Sequence, residues 1–186
     1  MSNKIQLRIQ LLKVRAALSV TQWRQKSDDI CSHLTNSQLL TNAKTILAYF
    51  SFRTEPDLSL LFYDSNYRCR WGFPRCFGNT MSWHVWKPGD ELNKGAYGIT
   101  EPNSDAPIIE PNEVDLILVP CVACDHRGYR LGYGGGYYDR MLSKTEWQSI
   151  PTIGILFEFA YLPQLPIESW DKPLQNICTE YKLVRS

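Results

Sequence analysis

Apolar positions along the chain recur with two periods. Near the start, Ile5, Ile9 and Leu12 fall at helical spacing, and Leu11, Val14 and Leu18 widen the stripe. A first amphipathic helix is expected there. Ser19-Val20-Thr21-Gln22 fits a capping box and predicts a second helix to about Leu34. Short continuous apolar runs follow: Thr45–Phe50, Val114–Val119 and Ile153–Phe157. Runs of this length suit strands buried on both faces. Asp57 is placed to cap a short helix through Leu60 and Leu61. Arg68–Phe73 and Met81–Trp86 are aromatic-rich candidate strands, and Ile177–Val184 is a candidate last strand. The polar stretch from Gly95 to Glu113 reads as loop, and Tyr137–Leu142 as the start of a helix. Strands alternating with helices predict an α/β fold. The expected architecture is a three-layer αβα sandwich on a mostly parallel sheet, made mixed by an antiparallel part in the aromatic region.

No repeat, linker or low-complexity tract interrupts the 186 residues, so one domain spanning 1–186 is expected. Hydrophobic residues at 44% are enough for a core. Twenty Lys and Arg stand against nineteen Asp and Glu, which argues against a nucleic-acid partner. No apolar run approaches the roughly 20 residues of a membrane span, and the polar N-terminus does not resemble a secretory signal. A cytoplasmic protein, probing no membrane, is the expectation. Cys121 and Cys124 form a C-x-x-C followed by His126. Half a zinc site or a redox pair has this spacing, but a second ligand pair and a helix start are both missing from the sequence. Reduced cysteines packed at a strand end, before an Asp125–Gly128 turn, are the simpler reading.

The strongest chemical signal is Arg130-Leu131-Gly132-Tyr133-Gly134-Gly135-Gly136-Tyr137-Tyr138-Asp139-Arg140. Glycines allow close approach of backbone to ligand. A helix start offers unpaired N–H groups to anions. Arg130 and Arg140 carry guanidinium forks suited to phosphate oxygens. The spacing matches neither G-x-x-x-x-G-K-[ST] nor G-x-G-x-x-G. Asp139, in the first helical turn, suits either the helix dipole or, beside a polyphosphate, a Mg²⁺ ion. These features predict an ATP-using enzyme.

This loop resembles the signature of the 5-formyltetrahydrofolate cyclo-ligase (5,10-methenyltetrahydrofolate synthetase) family. Val114–Pro120 is similar to that family's apolar strand, Gly98-Ile99-Thr100-Glu101-Pro102 to its G-I-x-E-P, Lys4-x-x-Leu7-Arg8 to its K-x-x-L-R, and Thr179-Glu180 to its closing T-E. The resemblance implies ATP- and Mg²⁺-dependent conversion of 5-formyltetrahydrofolate to 5,10-methenyltetrahydrofolate. ADP and phosphate are released, by phosphorylation of the formyl oxygen and ring closure. Carried over residue by residue, it implies that Lys4, Arg8, Arg130, Leu131, Gly132, Tyr133, Gly134, Gly135, Gly136, Tyr137 and Tyr138 hold ATP. Phe50, Glu55 and Tyr133–Tyr137 would meet the folate, Asp139 and Asp171 would bind Mg²⁺, and Arg130 would stabilise the transition state. Met81, Trp83, Tyr97 and Ile99 are candidates for the apolar part of the pocket. Departures from the pattern fall at Cys121, Cys124, Tyr133 and Trp170. A monomer acting on small molecules is expected. The competing readings are a non-catalytic folate- or nucleotide-binding protein of the same fold, and a phosphosugar isomerase or regulator.

Overall fold

The computed structural model describes residues 3–64, 69–95 and 98–186. Tyr97 and Arg68 lie outside the described residues. The elements relevant to the site begin with helices α1 (Asn3–Ala16), α2 (Val20–Thr35) and α3 (Gln38–Thr41), strand β1 (Thr45–Leu47) and helix α4 (Ser59–Tyr63). Strands β2 (Arg70–Phe77), β3 (Thr80–Val85), β4 (Leu92–Lys94) and β5 (Thr100–Pro102) follow. Then come β6 (Leu116–Pro120), β7 (Ala123–Asp125), β8 (Arg130–Leu131), helix α5 (Tyr137–Leu142), β9 (Thr152–Ile155) and β10 (Tyr161–Leu162). The chain closes with β11 (Asn176–Cys178) and β12 (Leu183–Arg185).

The main sheet has the order β12-β11-β9-β6-β1-β2-β3. Its five inner strands pair in parallel, and β3 and β12 add antiparallel edges. This is the mixed, mostly parallel sheet that the sequence predicts. The continuous apolar runs follow from burial of both faces. In β6, Leu116 and Leu118 point into one core while Ile117 and Val119 point into the other. The first core includes Ile30 and Leu34 of α2 and Leu61 of α4; the second includes Leu11 of α1 and Met141 of α5. Among the described residues no helix is long and apolar enough to cross a membrane.

Local signals are accurate in places. Ser19 Oγ accepts the Gln22 N–H at 3.2 Å while Gln22 Oε1 accepts the Ser19 N–H at 3.0 Å, which is the expected capping box. Asp57 accepts the Ser59 N–H at 3.1 Å, although Leu58 occupies the cap position of α4. Cys121 and Cys124 are buried free thiols at the end of β6 and within β7.

Three expectations need correction. In α1, Ile5, Ile9 and Val14 face solvent at 43–59% exposure, whereas Leu11 is buried with Leu7 and Leu12 packed beside it. The covered face is the one that interleaves leucines with Lys4, Arg8 and Arg15. Two apolar stripes share this helix, and only packing selects between them. The stretch expected as loop contains β5, which pairs with β4, and a 3-10 turn over Pro111–Glu113. Glu101 holds this hairpin to the sheet: it is 3% exposed, and its Oε1 accepts the Cys76 N–H at 3.0 Å. A Cβ on Gly95 would lie 2.0 Å from the Glu101 carboxyl carbon, so only glycine permits that approach. The tail forms two strands, β11 and β12, in place of one.

Candidate active site

The glycine loop does not leave the main sheet directly. It follows β8, which pairs antiparallel with β7 in a small sheet of order β10-β7-β8. Arg130 and Leu131 are therefore fixed as strand residues. Gly134 and Gly136 take φ of +107° and +68°, conformations that residues with a Cβ rarely adopt. Gly136 caps α5, which is only six residues long and has no side-chain cap. A helix this short has little dipole, so charge for an anion must come mainly from side chains.

Those side chains come from α1. Arg8 Nε donates to the Gly132 carbonyl at 2.7 Å. One turn earlier, Lys4 Nζ forms an ion pair with Asp171, whose Oδ2 also accepts the Glu168 N–H at 2.8 Å. Lys4 and Arg8 are thus brought to the loop and to Asp171 by the covered face of α1. Arg130, 8% exposed, donates from Nη2 to Asp139 Oδ1 at 2.7 Å. Its guanidinium lies 5.5 Å from the Tyr138 ring centroid. Burial pushes the hydroxyls of Tyr138 and Tyr133 up, the latter to about 12, so both are neutral donors.

Arg140 has a different role from the one expected. Its Nε donates to the Asn79 carbonyl at 2.9 Å and its Nη2 to the Gly135 carbonyl at 2.8 Å. Tyr137 donates to the Gly78 carbonyl at 2.8 Å. Together they tie the loop to the β2–β3 turn, and they engage carbonyls where the sequence suggested phosphate.

The folate-side candidates lie on the chain leaving β1. The turn Phe52–Glu55 holds Arg53 and Thr54 at φ of +48° and +58°. Two successive residues with a Cβ in this region cost about 1 kcal/mol or more each, a strain usually retained at functional sites. The turn buries Glu55 to 4% exposure, and its Oε2 accepts the Phe52 N–H at 3.0 Å. Trp23 Nε1 and Ser51 Oγ both donate to the Glu55 carbonyl at 2.8 Å. Burial raises the Glu55 carboxyl from 4.5 to about 7, against the lowering pull of Arg15. Phe50 stacks on Phe73 at 4.0 Å and lines a surface cavity of about 560 Å³ with Trp23, Ser51 and Thr100. Of the apolar candidates, Trp83 is core, donating to Met141 sulfur at 3.1 Å, while Met81 and Ile99 are half-buried.

Arg15 is the residue that sequence reasoning missed. It is buried, and it donates to the Tyr133 hydroxyl and, at 3.0 Å, to the Arg53 carbonyl. Its position seven residues after Arg8 was the available signal, because both fall on one helix face. Three buried side-chain polar atoms among the described residues have no partner: Arg15 Nε, Arg130 Nε and Tyr138 Oη. Each costs about 1–3 kcal/mol. All three belong to the glycine loop or to residues touching it. Such a concentration marks a surface built for a polar ligand rather than for packing.

Comparison with known proteins identifies the family. Residues 1–180 match the 5-formyltetrahydrofolate cyclo-ligase family. The 5-formyltetrahydrofolate cyclo-ligase of Haemophilus influenzae is 31% identical over 92% of this chain and 95% of its own. That of Escherichia coli K12 is 28% identical over 91% and 96%. The solved 5,10-methenyltetrahydrofolate synthetase of Aquifex aeolicus superposes with a TM-score of 0.87 at 33% identity, covering 99% of this chain and 93% of that one. The chain belongs to the 5-formyltetrahydrofolate cyclo-ligase family, and it is a ligase enzyme.

Proposed function

We propose that the protein converts 5-formyltetrahydrofolate and ATP to 5,10-methenyltetrahydrofolate, ADP and phosphate in a Mg²⁺-dependent reaction. The acting unit is a single domain over residues 1–186, a cytoplasmic monomer whose partners are small molecules, with no nucleic acid and no membrane. The observation that carries this reading is the cluster of unpartnered buried donors around the glycine loop, at the meeting point of basic α1 residues and the Glu55 turn.

The reaction needs little covalent chemistry from the protein. The formyl oxygen attacks the γ-phosphorus, the bond from that phosphorus to the β–γ bridging oxygen breaks, and ADP leaves. A neighbouring folate nitrogen then closes on the formyl carbon, its proton is released, and phosphate departs with the former formyl oxygen. The chain's task is positioning and charge stabilisation. Lys4, Arg8 and loop residues Arg130–Tyr138 receive the polyphosphate. Arg130 faces the charge that develops on the transferring group. Phe50 packs on the pteridine and Glu55 accepts hydrogen bonds from its N–H groups, with Tyr133–Tyr137 at the junction.

The donor set also fits Mg²⁺. This ion takes oxygen ligands, keeps waters, and is held by one or two carboxylates together with substrate phosphates. Among the described residues no group of three or more His, Cys, Asp or Glu could hold a metal alone. Asp139 Oδ1 accepts from Arg130 Nη2, and its other oxygen accepts no hydrogen bond among the described residues. Asp139 and Asp171 would hold the ion, which supplies charge neutralisation of the phosphates when bound. Asp139→Asn is therefore expected to lose activity sharply at low Mg²⁺ and to recover as Mg²⁺ rises, with an unchanged melting curve. Equal activity to the parent at every Mg²⁺ concentration would remove Asp139 from the metal site. The overall reading is tested by the appearance of methenyl absorbance with and without ATP. Folded protein that binds both ligands but releases no ADP would refute it.

A further inference from the structure

Arg15 joins three parts of the molecule at one guanidinium. It projects from α1, donates to the carbonyl of Arg53 in the strained turn, and donates to the hydroxyl of Tyr133 in the glycine loop. Tyr133 in turn reaches the Phe52 carbonyl at 3.4 Å, and Arg15 Cζ lies 5.5 Å from the Tyr133 ring centroid. No carboxylate pairs with Arg15 within 4.0 Å among the described residues, and its Nε has no partner. Packing does not explain this. Leu11 fills the same helix face with apolar atoms, whereas a buried cation with an orphaned donor is a net cost unless something uses its charge.

The ionisable group its charge acts on is Glu55, in the turn whose Arg53 carbonyl it holds. The groups that act on its carboxyl electrostatically are Arg15 from α1, Tyr133 from the glycine loop, Tyr138 from α5, and Tyr49 from the segment after β1. Burial keeps all three tyrosines protonated and neutral at ordinary pH. Arg53 acts on Tyr133 from the turn, and α2 reaches only the Glu55 backbone, through Trp23. The charge opposing burial of the carboxylate is that of Arg15.

We propose that Arg15 is a positioning residue for the folate half of the reaction: it locks the Glu55 turn and Tyr133 to α1 and brings its positive charge to the turn that carries the carboxyl receiving the pteridine. This rests on the assignment of Glu55 to the folate under the proposed function. It also couples the two substrates, because the helix that carries Lys4 and Arg8 to the glycine loop also fixes the Glu55 turn.

The test uses the full chain with Arg15→Met and Arg15→Lys, measuring kcat and both KM values from mildly acidic to alkaline pH. Activity that needs ionised Glu55 rises with pH along an acid limb. In Arg15→Met that limb is expected to move up by about one pH unit, with about a tenfold loss of kcat/KM for 5-formyltetrahydrofolate below it. The KM for ATP should stay within about twofold. Arg15→Lys, which keeps the charge, should restore the limb. A folded Arg15→Met with an unmoved limb overturns the proposal, since loss of packing alone does not shift a titration. Should Arg15→Met not fold, Arg15→Gln serves the same comparison. Calorimetric binding of 5-formyltetrahydrofolate across the same pH range separates the two readings. A wild-type chain that binds folate without turnover sinks the proposed reaction, while the Arg15 dependence of that binding curve still decides this inference.

Discussion

Arg130→Met is expected to lower kcat by about a thousandfold or more, with Arg130→Lys between it and the parent. The guanidinium is buried, directed by its bond to Asp139, and still holds an orphaned Nε donor. A fixed donor in a dry site costs no reorganisation when charge develops on the phosphoryl group, which is why single groups of this kind carry several kcal/mol. Lysine keeps the charge but not the planar fork, so it cannot serve Asp139 and the ligand together. The fold should survive. The Asp139 side chain is 25% exposed and can be solvated, and methionine fills the strand position without an unpartnered donor. Single-turnover kinetics with a thermal melt would check this. A kcat within tenfold of the parent, at saturating ATP, would remove Arg130 from the transition state.

Glu55→Gln is expected to gain stability while losing folate affinity. Burial raises the carboxyl from 4.5 to about 7, so the native state holds its proton more tightly than the unfolded chain. The stability this confers is complete below about pH 4.5 and is lost as pH rises through about 7. Glutamine never ionises, and its oxygen can still accept the Phe52 N–H. At pH 8 the variant should therefore be more stable than the parent by on the order of 3 kcal/mol, and at pH 4.5 nearly equal. Folate affinity should fall about 10- to 100-fold, the worth of a hydrogen bond to a charged acceptor. Urea melts at the two pH values, with calorimetric titration of the folate, measure both. A stability difference independent of pH would show that Glu55 is ionised in its buried site without penalty. The same carboxylate that weakens the fold at alkaline pH is the one proposed to receive the folate, a trade found at many active sites.

Much of the site was legible because it is local. The loop from Arg130 to Arg140 is a run of adjacent residues, and the glycines that must adopt positive φ announce it. α5 begins at Tyr137, where the sequence pattern starts a helix, and it stops after Leu142. The capping box at Ser19 is likewise a contact between residues three apart. Parallel strands were visible as apolar runs, because burial on both faces removes alternation. The exposed β4 and the two-residue strands β8 and β10 lack any such signal, and they were not foreseen. Their existence depends on partners supplied by distant chain.

The sequence by itself determined the glycine loop, its flanking Arg130 and Asp139, the family to which they belong, and the class of fold. Tertiary structure decided the pairings. Lys4 meets Asp171 across 167 residues and Arg15 meets Tyr133 across 118, distances at which no spacing rule operates. It also chose between the two apolar stripes of α1, and that choice turned Arg15 inward and Ile9 outward. Arg140, expected on phosphate, was drawn to the carbonyls of Gly135 and Asn79 because the β2–β3 turn lies beside the loop. The physical reason is common to all three cases. Turn and helix preferences are set by neighbours along the chain, whereas the partner of a buried charge is set by which elements the sheet order brings together.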